Sequence, residues 1–203
     1  MQKKNLLIGY RVFFALLAFA ALITEVAVTH ERGTFTPANF FSFFTVESNS
    51  LAVIILLTST LALARSKQSR LMAILRGANT MNMIVVGIVF LLLLSGLENA
   101  EFTAVPWDNT VLHYIMPIAV AVDWFIDIPK LRITFKQALS WLLFPAAYAI
   151  YSLIRGHFVG WYPYPFLNPS QHGYVSVAAT SAVLMLGALG LAWMLTWPTA
   201  TKR

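Results

Sequence analysis

The chain contains no cysteine. Disulfide frameworks, thiolate metal sites, iron–sulfur clusters and cysteine nucleophiles are therefore excluded at the outset. Charge is almost as scarce: 11% of the 203 residues are Asp, Glu, Lys or Arg, while 59% are hydrophobic. A soluble domain carries about 25% charged residues, so this chain lacks the means to cover a water-facing surface. Its mean hydropathy of +0.72 marks a membrane protein. Basic residues outnumber acidic ones 14 to 8, but they occupy short gaps between apolar runs, which speaks for membrane topology rather than for nucleic acid as a partner. No lysine lies mid-span to form a retinal Schiff base. His30, His157 and His172 fall in gaps and leave only His113 inside the membrane, so the facing histidine pairs of a haem bundle are missing. His30-Glu31 has no second histidine four residues on, and no metal site is expected. Leu94-Ser95-Gly96 lacks the first glycine of a rhomboid-type Gly-x-Ser-Gly motif.

Long apolar runs are what the chain has in abundance. About 20 apolar residues cross a bilayer, and six segments qualify, over about 6–28, 37–64, 71–96, 110–128, 137–154 and 174–197. The expected fold is all-α: a polytopic six-helix transmembrane bundle forming one domain over 1–203, with no internal repeat or linker. Lys3 and Lys4 ahead of Ala18-Phe19-Ala20 resemble a signal peptide, but the apolar run continues well past that point and reads as a retained helix. Phe40, Phe41, Phe43 and Phe44 suit an interfacial start for the second span, and Pro106, Pro129 and Pro198 read as helix boundaries. Ten of the fourteen basic residues, namely Lys3, Lys4, Arg65, Lys67, Arg70, Lys130, Arg132, Lys136, Lys202 and Arg203, lie at the two ends and in the second and fourth gaps. The third gap holds Glu98, Glu101 and Asp108 with no basic residue. The positive-inside rule then places both termini in the cytoplasm, in agreement with an even number of spans.

Charged groups within spans are costly and face the bundle interior. Arg11, Arg76, Asp123 and Asp127 fall in the cytoplasmic half, two of each sign, and Asp123 and Asp127 share one face of the fourth helix one turn apart. They are expected to pair and tie helices 1, 3 and 4 together, with a direct role in ion or proton movement as the other reading. The outer half holds Glu25, Thr45, Glu47 and His113, with no basic partner but the histidine. On a continuous second helix Ser42, Thr45 and Asn49 fall within about 60° of one another, and Glu47 points to nearly the opposite side. Such a stripe serves interhelical hydrogen bonding or a polar site.

Thr45 and His113 both descend from the outer face and can share a depth. A threonine hydroxyl beside a histidine base is a nucleophile pair competent to attack an ester, and Pro117 loosens the helix beside the imidazole by withholding a donor from the carbonyl of residue 113. Asp123 and Asp127 are too far down the helix to orient that ring, which leaves Asn49, Glu25 or a backbone carbonyl. The fifth gap, Arg155-Gly156-His157-Phe158-Val159-Gly160-Trp161-Tyr162-Pro163-Tyr164-Pro165-Phe166-Leu167, reads either as an interfacial aromatic belt or as a stiff lid over the outer mouth.

The Thr45 motif on the second span, His113 ahead of Pro117 on the fourth and Gly160-Trp161-Tyr162-Pro163-Tyr164-Pro165-Phe166-Leu167 before the last span together resemble the androgen-induced, androgen-dependent family of six-span integral-membrane threonine hydrolases, in its bacterial branch. Trp161 directly follows Gly160 here, and Tyr162 occupies the tryptophan position of the animal motif. The resemblance implies a catalytic Thr45 and His113 cleaving fatty acid esters of hydroxy fatty acids or related acyl esters, without metal or organic cofactor, in a bacterial cytoplasmic membrane. Ser42, Asn49, Glu47, Trp161, Tyr164 and Phe166 are the residues expected around a lipid or amphiphilic ester. The other reading is a non-enzymatic membrane protein that binds or transports an amphiphile.

Overall fold

A computed structural model describes residues 2–65, 69–96 and 103–200. About 85% of the protein is helical and no strand occurs among the described residues. Lys67, Glu98, Glu101, Lys202 and Arg203, which contribute to the charge asymmetry, lie outside them. The helices are α1 (Gln2–Glu31), a single turn α2 (Pro37–Phe40), α3 (Phe44–Ala64), α4 (Arg70–Leu94), α5 (Pro106–Ile126), α6 (Phe135–Val159) and α7 (Pro169–Ala200), the last kinked at Gly173, where φ is 75° and ψ 155°. Six of these, all but α2, are long and apolar enough to cross a membrane. The protein is therefore an integral membrane six-helix bundle, and the even count puts both termini at one face, called here the terminal face; the opposite one is the distal face.

Helix starts follow local chemistry. Pro37, Pro106 and Pro169 open their helices, where a missing N–H costs nothing. Thr134 and Gln137 form a reciprocal capping box at the start of α6, and Ser69 caps α4 by accepting from the Met72 amide. Gly160, at φ 71°, ends α6 in the left-handed conformation. Pro198 does not stop α7, which runs on to Ala200, since so close to a terminus one lost hydrogen bond leaves the rest of the helix intact.

The second span departs from expectation. Instead of one helix over 37–64, the chain makes the single turn α2, breaks over 41–43 and restarts at Phe44, with Phe43 extended at φ −82° and ψ 125°. Tertiary bonds hold the break: the Tyr148 hydroxyl donates to the Ser42 carbonyl at 2.9 Å, an acceptor that a continuous helix would have consumed. Ser42 therefore lies in a turn and not on the helical stripe of Thr45 and Asn49.

The bundle is built around α4, which packs against α3, α5, α6 and α7 and buries residues on all sides, among them Arg76, Asn79, Met81, Met83 and Val86. α1 lies against α3, and Ala15, Ala18 and Ala21 there are fully buried together with Ala52 of α3. Small side chains let two helices approach closely enough for dispersion to hold them in lipid. Gly77 does the same for α4 and α6, because a β-carbon there would overlap the Trp141 indole. α6 and α7 are the least embedded helices, and the cleft between them reaches the outside of the bundle.

At the terminal face the four charged residues meet. Arg11 Nε lies 2.6 Å from Asp123 Oδ1 and its Nη2 2.7 Å from Asp127 Oδ2, while Arg76 Nη2 lies 2.7 Å from Asp123 Oδ2 and its Nη1 3.3 Å from Asp127 Oδ2. Arg76 also donates to the main-chain carbonyls of Asp123 and Asp127, binding the C-terminal end of α5, where cations are favoured. Two cations and two anions cancel, and the cluster joins α1, α4 and α5.

Candidate active site

Thr45 sits in the first turn of α3, which decides what its hydroxyl can do. Thr58, Thr60 and Thr80 return their hydroxyls to the carbonyl four residues back in their own helices, the usual fate of a membrane threonine. The break at 41–43 denies Thr45 that helical partner. Its Oγ1 instead lies 3.2 Å from His113 Nε2 and 3.4 Å from the Tyr164 hydroxyl, both bonds buried. The Thr45 amide, one of the unpaired donors of a helix start, gives its proton to the same Tyr164 oxygen at 3.3 Å.

His113 projects from a local widening of α5. Residues Val111–Ile115 form a π-turn, in which the Met116 amide bonds to the Val111 carbonyl five residues back. In that register the Leu112 carbonyl would need an N–H from Pro117, which has none. Asn49 supplies it: its Nδ2 donates to Leu112 O at 3.2 Å and to Thr45 O at 2.9 Å. Asn49 thus pins α3 to α5 on either side of the Thr45–His113 pair through its Nδ2, while its Oδ1 is buried without a hydrogen-bond partner. A second π-turn, Phe90–Leu94 in α4, carries Phe90, whose ring stacks on the imidazole with centroids 4.0 Å apart and planes at 23°. Gly87, where a β-carbon would come within 3.0 Å of Pro117, permits this approach of α4 to α5. Single π-turns of this kind concentrate at functional sites.

The hydrogen-bond chain assigns the tautomer. His113 Nδ1 lies 3.2 Å from the Asn109 carbonyl, which only accepts, so the ring proton resides on Nδ1 and the Nε2 lone pair faces Thr45. The protons then run in one direction: Tyr164 O–H to Thr45 Oγ1, Thr45 O–H to His113 Nε2, and His113 Nδ1–H to Asn109 O. Burial pushes the Tyr164 phenol above its usual pKa range, which keeps it a donor. The orienting group behind the histidine is thus a backbone carbonyl, neither Asn49 nor Glu25.

Two cavities meet at Thr45 and Tyr164. One, of about 90 Å³, is an apolar cleft lined by Phe44, Val86, Tyr148, Phe166, Leu184 and Met185 among others. Half-buried Pro145, Ala149 and Ser181 carry it to the gap between α6 and α7. The other, of about 30 Å³, touches His113, Glu25, Thr103 and Phe43. The 160–167 segment covers this region. Tyr164 and Phe166 stack in parallel at 5.2 Å, Trp161 meets Phe43 edge-on at 5.6 Å and lies under the Arg155 guanidinium at 5.1 Å, and Tyr162 packs into the space left by Gly156.

Of the residues expected to surround a ligand, Tyr164 and Phe166 line the cavities. Ser42 is turned to Ala38 O at 2.6 Å and the Tyr151 hydroxyl at 3.0 Å. Glu47 and Trp161 line neither cavity; Glu47 leaves from another side of α3, and Trp161 supports the lid from behind. The roles of Phe90, Gly87 and the Asn109 carbonyl carry no sequence signature, because they arise only when α4 and α5 are brought together. A candidate metal centre of three or more His, Asp or Glu side chains is absent among the described residues. Comparison with protein-family models, with curated proteins and with solved structures returns no match to this chain.

Proposed function

We propose that the protein is an intramembrane hydrolase of acyl esters that uses Thr45 as nucleophile and His113 as base, in line with the resemblance to the threonine-hydrolase family. The observation that carries this reading is the buried, directional Thr45–His113 bond with its proton assigned by the Asn109 carbonyl. Thr45 Oγ1 attacks the ester carbonyl carbon while His113 Nε2 takes the hydroxyl proton. Tyr164 O–H, at the positive end of the α3 dipole, is the donor this reading assigns to the developing oxyanion. Collapse breaks the carbonyl carbon–alkoxy oxygen bond, and the leaving oxygen takes the proton from His113. A water then attacks the acyl-threonine ester and gives its proton to His113, the carbonyl carbon–Oγ1 bond breaks, and Oγ1 takes that proton back as the carboxylic acid leaves.

The acyl chain takes the apolar cleft, with lateral access from lipid between α6 and α7. No metal or organic cofactor is required by this scheme. With the basic gaps on the cytoplasmic side, the site faces the outer leaflet of what we take to be a bacterial cytoplasmic membrane. The test is covalent labelling by a long-chain fluorophosphonate: the expected adduct maps to Thr45 and is lost in Thr45→Ala. Equal labelling of wild type and variant would sink the hydrolase and favour the second reading, an amphiphile-binding protein, which the apolar cleft supports by itself.

A further inference from the structure

The two cavities that meet at Thr45 are unequal in size, and the smaller is the more polar. On one side the cleft of about 90 Å³ is almost wholly apolar and runs out between α6 and α7. The side next to His113 offers only about 30 Å³, and its polar lining includes the Glu25 carboxylate and Thr103. Glu25 is held in place from α1 by accepting the Ala104 amide at 2.6 Å. No lysine or arginine is among the described residues lining this cavity.

An ester bound across Thr45 must put its acyl part on one side and its alcohol part on the other. The long apolar cleft suits a single acyl chain. The alcohol oxygen must lie toward His113, since that oxygen takes the proton from Nε2 as it departs. It therefore leaves into the small cavity. A branched hydroxy fatty acid would have to bring a second long chain and a free carboxylate there. A second long chain has far less room there than in the cleft, and its carboxylate would meet the hydrogen-bonded acid pair Glu25 and Asp108 with no cation among the lining residues, an arrangement that disfavours it.

Resting on the hydrolase reading, we infer that the substrates are single-chain acyl esters of a small alcohol that bears hydrogen-bond donors or a positive charge, with Glu25 as the residue that selects the alcohol. Polyols and amino alcohols share this chemistry. The step balances as an ordinary hydrolysis: the alkoxide takes the proton held by His113, leaves as the free alcohol, and water completes the carboxylic acid.

The experiment compares kcat/KM of the full-length protein in lipid nanodiscs for oleoylglycerol, oleoylcholine and the oleic ester of hydroxystearic acid, with Thr45→Ala as the blank. Wild type should favour at least one of the first two over the third by about tenfold or more. Glu25→Gln retains the acceptor for the Ala104 amide and should narrow that gap several-fold. A wild-type preference for oleoylcholine that disappears in Glu25→Gln assigns a cationic head, and a preference for oleoylglycerol assigns a polyol. Thr45-dependent turnover in which the hydroxystearate ester equals or beats both overturns the specificity and leaves the hydrolase standing. Absence of Thr45-dependent turnover of all three overturns both together.

Discussion

At the scale of single residues, the site is decided by which donors and acceptors are denied their usual partners. Thr45 has no helical carbonyl four residues back, His113 has its Nδ1 proton fixed by Asn109 O, and Tyr164 accepts one bond from the Thr45 amide while retaining its own proton to give. Because nucleophile and base act as a unit, Thr45→Ala and His113→Ala should each reduce hydrolysis of an acyl ester to the blank, and the double variant should be no worse than either. A double variant markedly slower than both singles would show that the two groups act independently. Tyr164→Phe removes one oxyanion donor from a water-poor site, where such a loss costs about 10²–10³ in kcat. The expected kinetic signature is a fall in kcat with KM little changed; a rise in KM alone would make Tyr164 a packing residue for the ligand.

At the scale of elements, the break at 41–43, the two π-turns and the 160–167 segment do the positioning. The break and the α5 π-turn sacrifice regular helical bonding, and tertiary partners meet the loss, Tyr148 at Ser42 O and Asn49 at Leu112 O; within α5 the Asn109 carbonyl holds the imidazole. The 160–167 segment is joined to α6 through Gly156, whose missing side chain admits the Tyr162 ring. Gly156→Ala should therefore leave α6 helical, since alanine is the better helix former, yet displace Tyr162 and with it Tyr164. Circular dichroism should be unchanged and kcat lowered by about an order of magnitude, the effect expected of a small displacement of a positioning group. Full activity in Gly156→Ala would mean that the segment seats Tyr164 independently of α6.

At the scale of the whole molecule, the proposed site at the distal face and the ion cluster at the terminal face are set far apart. From residue 113 to residue 123 along α5 is on the order of 15 Å, so the charges at Asp123 and Asp127 act on the bundle and not on the imidazole. Asp123→Asn leaves Arg11, which is 1% exposed, short of one counter-ion. Breaking a buried pair costs about 3–5 kcal/mol. A clear drop in thermal stability in detergent is expected, with esterase activity per folded molecule retained; activity lost at full stability would couple the two ends. Orientation is accessible through the missing cysteines: Lys136→Cys at the terminal face should react with a membrane-impermeant maleimide only after cells are opened, and His172→Cys at the distal face before. The reverse pattern would invert the proposed topology.

How far the sequence could be read follows from the range of the forces involved. Six spans, their approximate limits and a membrane as solvent follow from the length of apolar runs, a local property that a bilayer reads segment by segment. Arg11, Arg76, Asp123 and Asp127 were legible as partners because charges of both signs at one depth in lipid have few other ways to be neutralised. The threonine and histidine could be placed at a shared depth by counting residues. Their mutual orientation could not, since it hangs on bonds from Tyr148 and Tyr164, 106 and 119 residues away along the chain. Ser42 left the expected stripe for the same reason: helical periodicity assumes an unbroken helix, and the break is imposed from α6. The partition of the site into an apolar cleft and a smaller, more polar cavity belongs wholly to packing, because its walls come from all six spans and the 160–167 segment, and no stretch of sequence contains enough of either to announce it.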